Sequence, residues 1–348
     1  MIIVTGGAGF IGSVLVWKLN QQGVDDVVVV DELGTGAKWR NLAGLSVADV
    51  LHKDDFLRRV QQDALGFNPR AIVHLGACSS TTEPDADFLL RNNYRYTRTL
   101  AEWALAHEVR FIYASSAATY GDGSGGYADD DEVTRSLCPL NMYGYSKQLL
   151  DTWALGSGAL RKIAGLKFFN VFGPHEYHKG DMASVVYKAH AQIRDTGRVR
   201  LFKSYRPDIA DGGQQRDFVY VKDCADVIWW LLKQPHVCGL FNVGSGQARS
   251  WNDLARAVFA ALDRPADIQY IEMPEVLRGK YQYFTQADTA KLHAAGCPVA
   301  FQTLEAAIQD YVINYLDTDQ PYLDAWQSAS PAVDETSRRP RARKGRAA

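Results

Sequence analysis

The stretch that most constrains the fold is VTGGAGFIG at residues 4–12, directly after the apolar residues that open the chain. It places Gly6, Gly9 and Gly12 three residues apart, between a predicted strand and a predicted helix. Glycines at this spacing let the backbone turn tightly and approach a pyrophosphate, which the free N–H groups of the helix N-terminus then bind. Asp31 ends the second predicted strand, 19 residues after Gly12, where a carboxylate can bind an adenosine ribose. The stretch therefore predicts a dinucleotide-binding βαβ unit.

Short apolar runs alternate with helical segments over the first 120 residues. The runs at 2–4, 27–30, 71–75 and 110–115 are continuous and not alternating, which is typical of parallel strands buried on both faces. Strands separated by helices indicate repeated βαβ units. We therefore expect an α/β fold with a Rossmann-type, doubly wound parallel sheet and a smaller C-terminal α/β substrate-binding lobe.

The change in composition along the chain predicts the domain boundaries. Residues 1–168 are expected to form the dinucleotide-binding domain, and residues 214–247 to return to it with a short strand and a helix. Residues 169–213 and 248–326, richer in Gly, Pro, Tyr and charge, are expected to form the substrate-binding lobe. The basic tail, residues 327–348, is low in apolar residues and is predicted to be disordered.

Charge and cysteine content limit the partners and the compartment. The net charge is −2, but six of the 15 residues from Asp334 onwards are basic, which leaves the rest of the chain at about −6. This charge argues against a nucleic-acid partner. The five cysteines are odd in number and have no CxxC spacing, and no apolar run is long enough for a membrane span. A cytoplasmic protein with no membrane partner and no signal peptide is expected.

A tyrosine and a lysine in NMYGYSK, residues 141–147, indicate proton transfer. On a helix Tyr143 and Lys147 share one face, whereas Tyr145 points elsewhere and is expected to pack. An alcohol gives up hydride easily only if its hydroxyl proton leaves too. A free phenol has a pKa of about 10, and the Lys147 ammonium should favour the phenolate. Ser116, at the end of a predicted strand, can donate a hydrogen bond to the reacting oxygen.

Other polar residues do not decide between NAD and NADP. Lys38 and Lys53 could neutralise a 2′-phosphate, which Asp31 would repel, so spacing alone leaves NAD and NADP equally favoured. His175 and His178 lie close together, but without a third ligand nearby they are expected to be polar loop residues, and no metal site is predicted.

A serine followed by Tyr-x-x-x-Lys on a glycine-rich dinucleotide fold resembles the extended, nucleotide-sugar-modifying branch of the short-chain dehydrogenase/reductase superfamily. Within it, the chain is similar to the ADP-L-glycero-D-manno-heptose 6-epimerase family over roughly residues 1–325. The stretches that carry this likeness are GACSSTTE (76–83), NNYRYT (92–97), SSAATYG (115–121), HKGDMASV (178–185) and GKYQYFTQAD (279–288).

The resemblance implies an activity. It implies interconversion of ADP-D-glycero-β-D-manno-heptose and its L-glycero epimer, by transient oxidation at carbon 6 and hydride return from tightly bound NADPH. The product serves lipopolysaccharide core synthesis. The resemblance tips the cofactor towards NADP, with NAD still possible, and implies a homo-oligomer, possibly a pentamer. Lys179, in HKG, is implied as a second acid/base beside Tyr143.

The resemblance also implies binding residues. Those for the cofactor are Gly6, Gly9, Phe10, Ile11, Gly12, Asp31, Glu32, Lys38, Lys53, Leu75, Gly76, Ala77, Cys78, Ser79, Asn92, Lys147, Val171 and Lys179. Those for the substrate are Asn170, Asp181, Lys188, Phe202, Lys203, Ser204, Tyr205, Arg216 and Tyr281.

Three alternatives differ in the residues that they need. A 4,6-dehydratase needs an acid/base pair just after its catalytic Ser or Thr, where this chain has Ala117 and Ala118. A nucleotide-sugar 4-epimerase needs one tyrosine and gives HKG no special role. A non-catalytic NADP-binding scaffold typically loses the tyrosine or lysine, and this chain keeps both.

Overall fold

A seven-stranded parallel sheet is the largest element of the computed structural model, which describes residues 1–278 and 281–325. The strands of the chain are β1 (Ile2–Thr5), β2 (Val27–Asp31), β3 (Asp49–His52), β4 (Ala71–His74), β5 (Arg110–Ser116), β6 (Ala164–Phe168), β7 (Asn170–Phe172), β8 (Val199–Phe202), β9 (Gln215–Tyr220), β10 (Gly239–Val243), β11 (Ala248–Ser250) and β12 (Ile268–Ile271). The main sheet has the order β3-β2-β1-β4-β5-β6-β10, and every pairing in it is parallel. The predicted Rossmann-type sheet is confirmed.

Helices lie on both faces of this sheet and in a second core. They are α1 (Phe10–Gln21), α2 (Lys53–Gln61), α3 (Ala86–Leu89), α4 (Tyr96–Ala106), α5 (Asp131–Ser136), α6 (Met142–Gly156), α7 (Val185–Thr196), α8 (Val221–Lys233), α9 (Trp251–Ala261), α10 (Glu275–Arg278), α11 (Ala290–Ala294) and α12 (Leu304–Tyr311). Shorter 3₁₀ turns span Ala37–Leu42, Ala117–Tyr120, Ala159–Arg161 and Tyr177–Met182, and π turns span Leu90–Arg95 and Val312–Leu316. None of the helices in the described ranges is long and apolar enough to cross a membrane.

Alternate residues of each central strand enter different cores, because successive side chains of a strand point to opposite faces. Val4 and Val29 pack with α1 and α8, whereas Ile3 and Val28 pack with α2, α4 and α6. Both faces are therefore apolar, which explains why the strands appear in the sequence as continuous apolar runs.

The return of the chain to the main sheet differs from the prediction. The helix of the returning segment, α8, packs against α1 in the core of the main sheet, and β10 joins the edge of that sheet. The strand of the returning segment, β9, does not join the main sheet. It pairs with β7 and β11 in a separate three-stranded sheet. Burial of β9 against α9 and α12 in another core explains its apolar sequence equally well.

A second core forms the predicted smaller lobe. It is built by α7, α9 and α12 with β8 and β9, and β8 pairs with β12. The predicted basic tail, residues 327–348, lies outside the described residues.

The last described residues, 321–325, return to the N-terminal half of the chain, and we call them the C-terminal segment. The backbone N–H of Leu323 donates to Nε2 of His175 at 2.8 Å, and that of Ala325 donates to the carbonyl of Gly44 at 2.9 Å. The segment therefore ties the loop that contains His175 to the loop after the 3₁₀ turn Ala37–Leu42.

Candidate active site

A cleft of about 690 Å³ lies at the carboxyl ends of the main-sheet strands, and side chains of the smaller lobe form its other wall. The lobe contributes Phe218, Trp251 and Leu254. A neighbouring cavity of about 220 Å³ shares Asp31 and Lys38 with it. Ligands of open parallel sheets bind at this edge, so the position suits a dinucleotide and its substrate.

The glycine turn after β1 has room for nothing larger than glycine. Gly6 has a φ of +67°, and a Cβ placed on it would lie 2.6 Å from the backbone nitrogen of Gly76. A Cβ on Gly12 would lie 2.1 Å from the carbonyl oxygen of Gly6. Gly9, the N-cap of α1, provides no side-chain cap for the first-turn N–H groups of the helix. The turn therefore fits a dinucleotide pyrophosphate, as predicted.

The two lysines implied in 2′-phosphate binding lie around the acidic end of β2. The Oδ1 atom of Asp31 accepts from Lys38 Nζ at 2.5 Å, and its Oδ2 atom accepts from the backbone N–H of Ala8 at 2.9 Å. The Nζ of Lys53 lies 3.4 Å from Oε2 of Glu32. Both ammonium groups are thus close to the carboxylates that would face an adenosine ribose.

Most of the other implied cofactor residues line one of the two cavities. Leu75, Gly76, Ala77, Cys78, Ser79, Phe10, Ile11 and Val171 line the cleft. Asn92 lines the neighbouring cavity, together with Glu32 and Lys53.

The side chains predicted to move protons line the same cleft. Ser116, Tyr143 and Lys147 all line it. Asn141 caps α6 by accepting from the N–H of Gly144 at 2.8 Å, so Tyr143 lies in the first turn and Lys147 one turn later. The predicted helical pairing is therefore confirmed. Tyr145, expected to pack, is 46% exposed because it lies between these positions and faces away from the cleft, so that prediction was wrong.

Burial dominates the protonation of this pair. Burial raises the pKa of Tyr143, and a hydrogen bond with Ser116 partly opposes the rise. In the chain itself burial therefore outweighs the expected lowering of the Tyr143 pKa by Lys147. Burial also lowers the pKa of Lys147 to about 8, against the opposing charge of Asp151. The Lys147 ammonium donates to the carbonyl of Ala114 at 2.8 Å, which aligns α6 with β5.

A buried ion pair behind Lys147 was not predicted. Asp151, one helical turn after Lys147, lies 3.2 Å from Lys167 Nζ on β6, and both side chains are fully buried. Asp151 also accepts from the hydroxyls of Tyr113 at 3.0 Å and Ser115 at 2.6 Å. A lysine within the apolar run AGLKF was the signal that could have revealed it, because a buried lysine requires a partner.

Lys179 faces the same cleft from the 3₁₀ turn Tyr177–Met182. Its Nζ lies 5.1 Å from the centre of the Phe10 ring. Burial lowers the pKa of Lys179, and the charge of Glu176 opposes this shift. The structure therefore brings Tyr143 and Lys179 into one cleft, as the resemblance implied.

Asn41 joins the glycine turn to the Lys179 loop, and sequence reasoning missed it. Its Nδ2 donates to the carbonyls of Ala8 at 3.0 Å and His175 at 3.1 Å, and lies 3.2 Å from Nδ1 of His178. His175, expected to be a polar loop residue, is fully buried, and its Nδ1 lies 2.8 Å from the Ser13 hydroxyl. Within the described ranges, no three His, Cys, Asp or Glu side chains are arranged to hold a metal ion.

The implied substrate residues divide into two groups. Asn170 lines the cleft. Arg216 and Tyr281 adjoin it through Trp251, because the Arg216 guanidinium lies 5.7 Å from the Trp251 ring and 5.2 Å from the Tyr281 ring. Arg216 also donates to the carbonyl of Gln282, so its described partners are rings and backbone carbonyls.

The second group lies outside the lining of the cleft. Lys188 donates to the carbonyl of Asp181 at 2.6 Å. In the stretch Phe202 to Ser204, Lys203 pairs with Glu272 at 2.7 Å. The guanidinium carbon of Arg278 lies 4.0 Å from the centre of the Tyr205 ring.

Comparison with known proteins identifies the family of the chain. Residues 2–244 match the NAD dependent epimerase/dehydratase family. The chain is 59% identical, over 93% of its length and 100% of the relative's, to the ADP-L-glycero-D-manno-heptose-6-epimerase of Nitratidesulfovibrio vulgaris. The crystal structure of the enzyme of that name from Helicobacter pylori matches with a TM-score of 0.75 and 29% identity, covering 90% of this chain and 95% of that one. Thermus thermophilus UDP-glucose 4-epimerase in complex with NAD matches with a TM-score of 0.69 and 26% identity, covering 89% and 97%. The chain therefore belongs to the NAD dependent epimerase/dehydratase family, and within it to the ADP-L-glycero-D-manno-heptose-6-epimerases.

Proposed function

We propose that the chain is an isomerase that interconverts ADP-D-glycero-β-D-manno-heptose and ADP-L-glycero-β-D-manno-heptose in lipopolysaccharide core heptose biosynthesis. The observation that carries this function is the single cleft that contains Tyr143 and Lys179 beside a glycine turn suited to a dinucleotide. A 4-epimerase with one tyrosine gives no role to Lys179, whose side chain faces that cleft.

The cofactor of this family is a nicotinamide dinucleotide. We assign NADP, because Lys38 and Lys53 lie beside Asp31 and Glu32 and can bind a 2′-phosphate there. Lys38 would then exchange part of its contact with Asp31 for the phosphate, which offsets the repulsion between two anionic groups. A nicotinamide held in this cleft would supply reversible hydride transfer at carbon 6.

Tyr143 and Ser116 handle the substrate oxygen. The raised pKa keeps Tyr143 a phenol when no cofactor is bound, and a phenol can donate a proton to the ketone oxygen when the ketone is reduced. For oxidation Tyr143 must be a phenolate, which accepts the hydroxyl proton and becomes a phenol again. The ammonium of Lys147 and the positive charge of a bound oxidised nicotinamide would favour that phenolate. Ser116 donates a hydrogen bond to the same oxygen.

Lys179 serves the second orientation of the ketone. Epimerisation requires hydride return to the opposite face of the carbonyl, so the reacting oxygen must reach a different acid/base. Burial lowers the pKa of Lys179, which makes its neutral amine, the form that accepts a proton, easier to reach. Lys179 therefore acts on one orientation and Tyr143 on the other.

Arg216 is assigned to the diphosphate of the substrate. Its buried guanidinium contacts rings and carbonyls but is available for a bidentate bond to a phosphate. The other substrate residues that we assign are Asn170, Asp181, Lys188, Phe202, Lys203, Ser204, Tyr205 and Tyr281.

The remaining assignments rest on sequence. We propose the dinucleotide-binding domain at 1–168 with 214–247, except that β9 packs with the smaller lobe, and the substrate lobe at 169–213 and 248–326. A cytoplasmic location and a homo-oligomer, with a pentamer as the specific case, complete the proposal. Sedimentation of the purified protein tests the subunit number.

The deciding experiment is incubation with ADP-D-glycero-β-D-manno-heptose and chromatographic separation of the epimers. We expect both epimers at equilibrium, and NADP as the nucleotide released by denaturation and identified by mass. Lys179→Met is the matched variant and should accumulate no second epimer. Turnover of UDP-glucose to UDP-galactose without heptose turnover would favour the 4-epimerase, and no turnover of either sugar would favour the scaffold.

A further inference from the structure

A buried carboxylate closes the loop that bears Lys179. Glu176 is fully buried, and its Oε1 accepts from the N–H of Gly173 at 3.3 Å and from the hydroxyl of Ser184 at 2.7 Å. Its Oε2 accepts from the backbone N–H of Ser184 at 2.5 Å. One carboxylate therefore joins both ends of the segment 173–184, which we call the lysine loop.

The same residue begins the turn on which Lys179 lies. Glu176 is the N-cap of the 3₁₀ turn Tyr177–Met182, and its carbonyl accepts from the N–H of Lys179 at 3.0 Å. Ser184 is in turn the N-cap of α7, where its hydroxyl accepts from the N–H of Tyr187 at 3.2 Å. The position of Lys179 over Phe10 thus depends on contacts that converge on Glu176.

The charge of Glu176 also acts on Lys179. Burial lowers the pKa of Lys179 and raises that of Glu176, and each charge opposes the shift of the other. Lys179 shares the cleft with His178 on its own turn, Asp31 at the end of β2, Lys38 on the 3₁₀ turn Ala37–Leu42, and Tyr143 and Lys147 on α6. Helix α1 contributes the uncharged ring of Phe10, and Tyr311 of α12 faces Glu176.

We propose that Glu176 is a positioning residue that fixes the lysine loop and controls how readily Lys179 takes up a proton. The inference deepens the proposed function, because it rests on Lys179 as the second acid/base. It assigns to Glu176 no contact with the substrate.

The test is a direct titration of Lys179. Reductive methylation with ¹³C-formaldehyde labels the lysines, and the signal that is lost in Lys179→Arg identifies Lys179 in NMR spectra recorded against pH. Glu176→Gln keeps the size of the side chain and removes its charge, so the midpoint of the Lys179 signal should fall by about one pH unit. Glu305→Gln removes a carboxylate that pairs with Arg249 far along the chain and should leave the midpoint unchanged.

An unchanged Lys179 midpoint in a folded Glu176→Gln protein would overturn the inference. If that variant does not fold, Ser184→Ala tests the positioning role, since it removes one hydroxyl from the carboxylate and keeps the charge. We expect kcat to fall about 10-fold with retention of the bound nucleotide, and an unchanged kcat would overturn the role. A lowered midpoint in Glu176→Gln, with no heptose turnover by the wild type, would refute the epimerase proposal but not the coupling of Glu176 to Lys179.

Discussion

Asp151→Asn should destabilise the protein and disturb cofactor binding together. Tyr113 and Ser115 donate to different oxygens of the carboxylate. The substitution keeps the shape of the side chain but only one of these two acceptors. It removes the charge that compensates the buried Lys167 ammonium, which then retains the Thr119 hydroxyl at 2.7 Å and the Tyr120 ring at 4.7 Å.

The size of the effect follows from the burial of the pair. Removing one partner of a buried ion pair costs about 3–5 kcal/mol, and we place this variant at about 3 kcal/mol because the side chain keeps its volume and one of its two acceptor oxygens. For a chain of this length each kcal/mol lowers Tm by about 2 °C, so Tm should fall by about 6 °C. Glu272→Gln, which breaks an exposed ion pair with Lys203, should leave Tm unchanged.

Two assays check the reasoning. Thermal unfolding followed by circular dichroism measures Tm, and the nucleotide retained after gel filtration measures cofactor binding. Asp151 opposes the lowering of the Lys147 pKa, so without Asp151 the Lys147 ammonium should lose its proton at lower pH. The loss of bound nucleotide with rising pH should therefore begin at lower pH in the variant. A Tm within 1 °C of the wild type would show that Lys167 does not depend on Asp151 for its charge, and would refute the argument.

Three further predictions test the site. Tyr143→Phe should keep the cofactor and lower turnover by about 10²–10⁴-fold, whereas Lys147→Met should lose both, and turnover near the wild-type rate in Tyr143→Phe would contradict the mechanism. Gly12→Ala should weaken nucleotide retention at least about 10-fold, because its Cβ would meet a carbonyl at 2.1 Å, while Gly125→Ala, with no atom within 4 Å, should retain the nucleotide. Burial lowers the pKa of His175 to about 3, so between pH 6.5 and about pH 3 only the unfolded chain binds a proton at this residue. The contribution of His175 should therefore lower the free energy of unfolding by about 2 kcal/mol from pH 7 to pH 5. Urea unfolding at both pH values should show a smaller loss in His175→Gln, and an equal loss would place the proton uptake elsewhere.

Local backbone chemistry explains which features could be predicted from the sequence. A turn restricted to glycine at Gly6 and Gly12 and a Tyr–Lys pair one helical turn apart depend on near neighbours in the chain, so their residues indicate them directly. The strand β3 has no apolar run, because it lies at the sheet edge and is largely exposed, and it was missed. Its pairing with β2 is visible only once the sheet is assembled.

Long-range contacts explain most of the remaining differences. Asn41 looks like an ordinary turn residue, and its role comes from carbonyls on the glycine turn and on a loop 134 residues away. The apolar pattern of β9 predicts burial, but it does not say which sheet the strand joins. The direction of the Tyr143 pKa shift depends on how completely other elements cover the phenol, which its neighbours in sequence do not determine.

The C-terminal segment has a consequence for the order in which the protein matures during synthesis. Ala325 hydrogen-bonds to Gly44, so 281 residues must be added after Gly44 before this contact can form. At about 5–20 residues per second a ribosome needs roughly 15–60 s for that length. During this interval the 3₁₀ turn Ala37–Leu42 and the loop that contains His175 lack one of the contacts that join them, beside the hydrogen bond of Asn41 to His175. A nascent chain released before residue 325 should therefore be cut by proteases at these two loops more readily than the full chain.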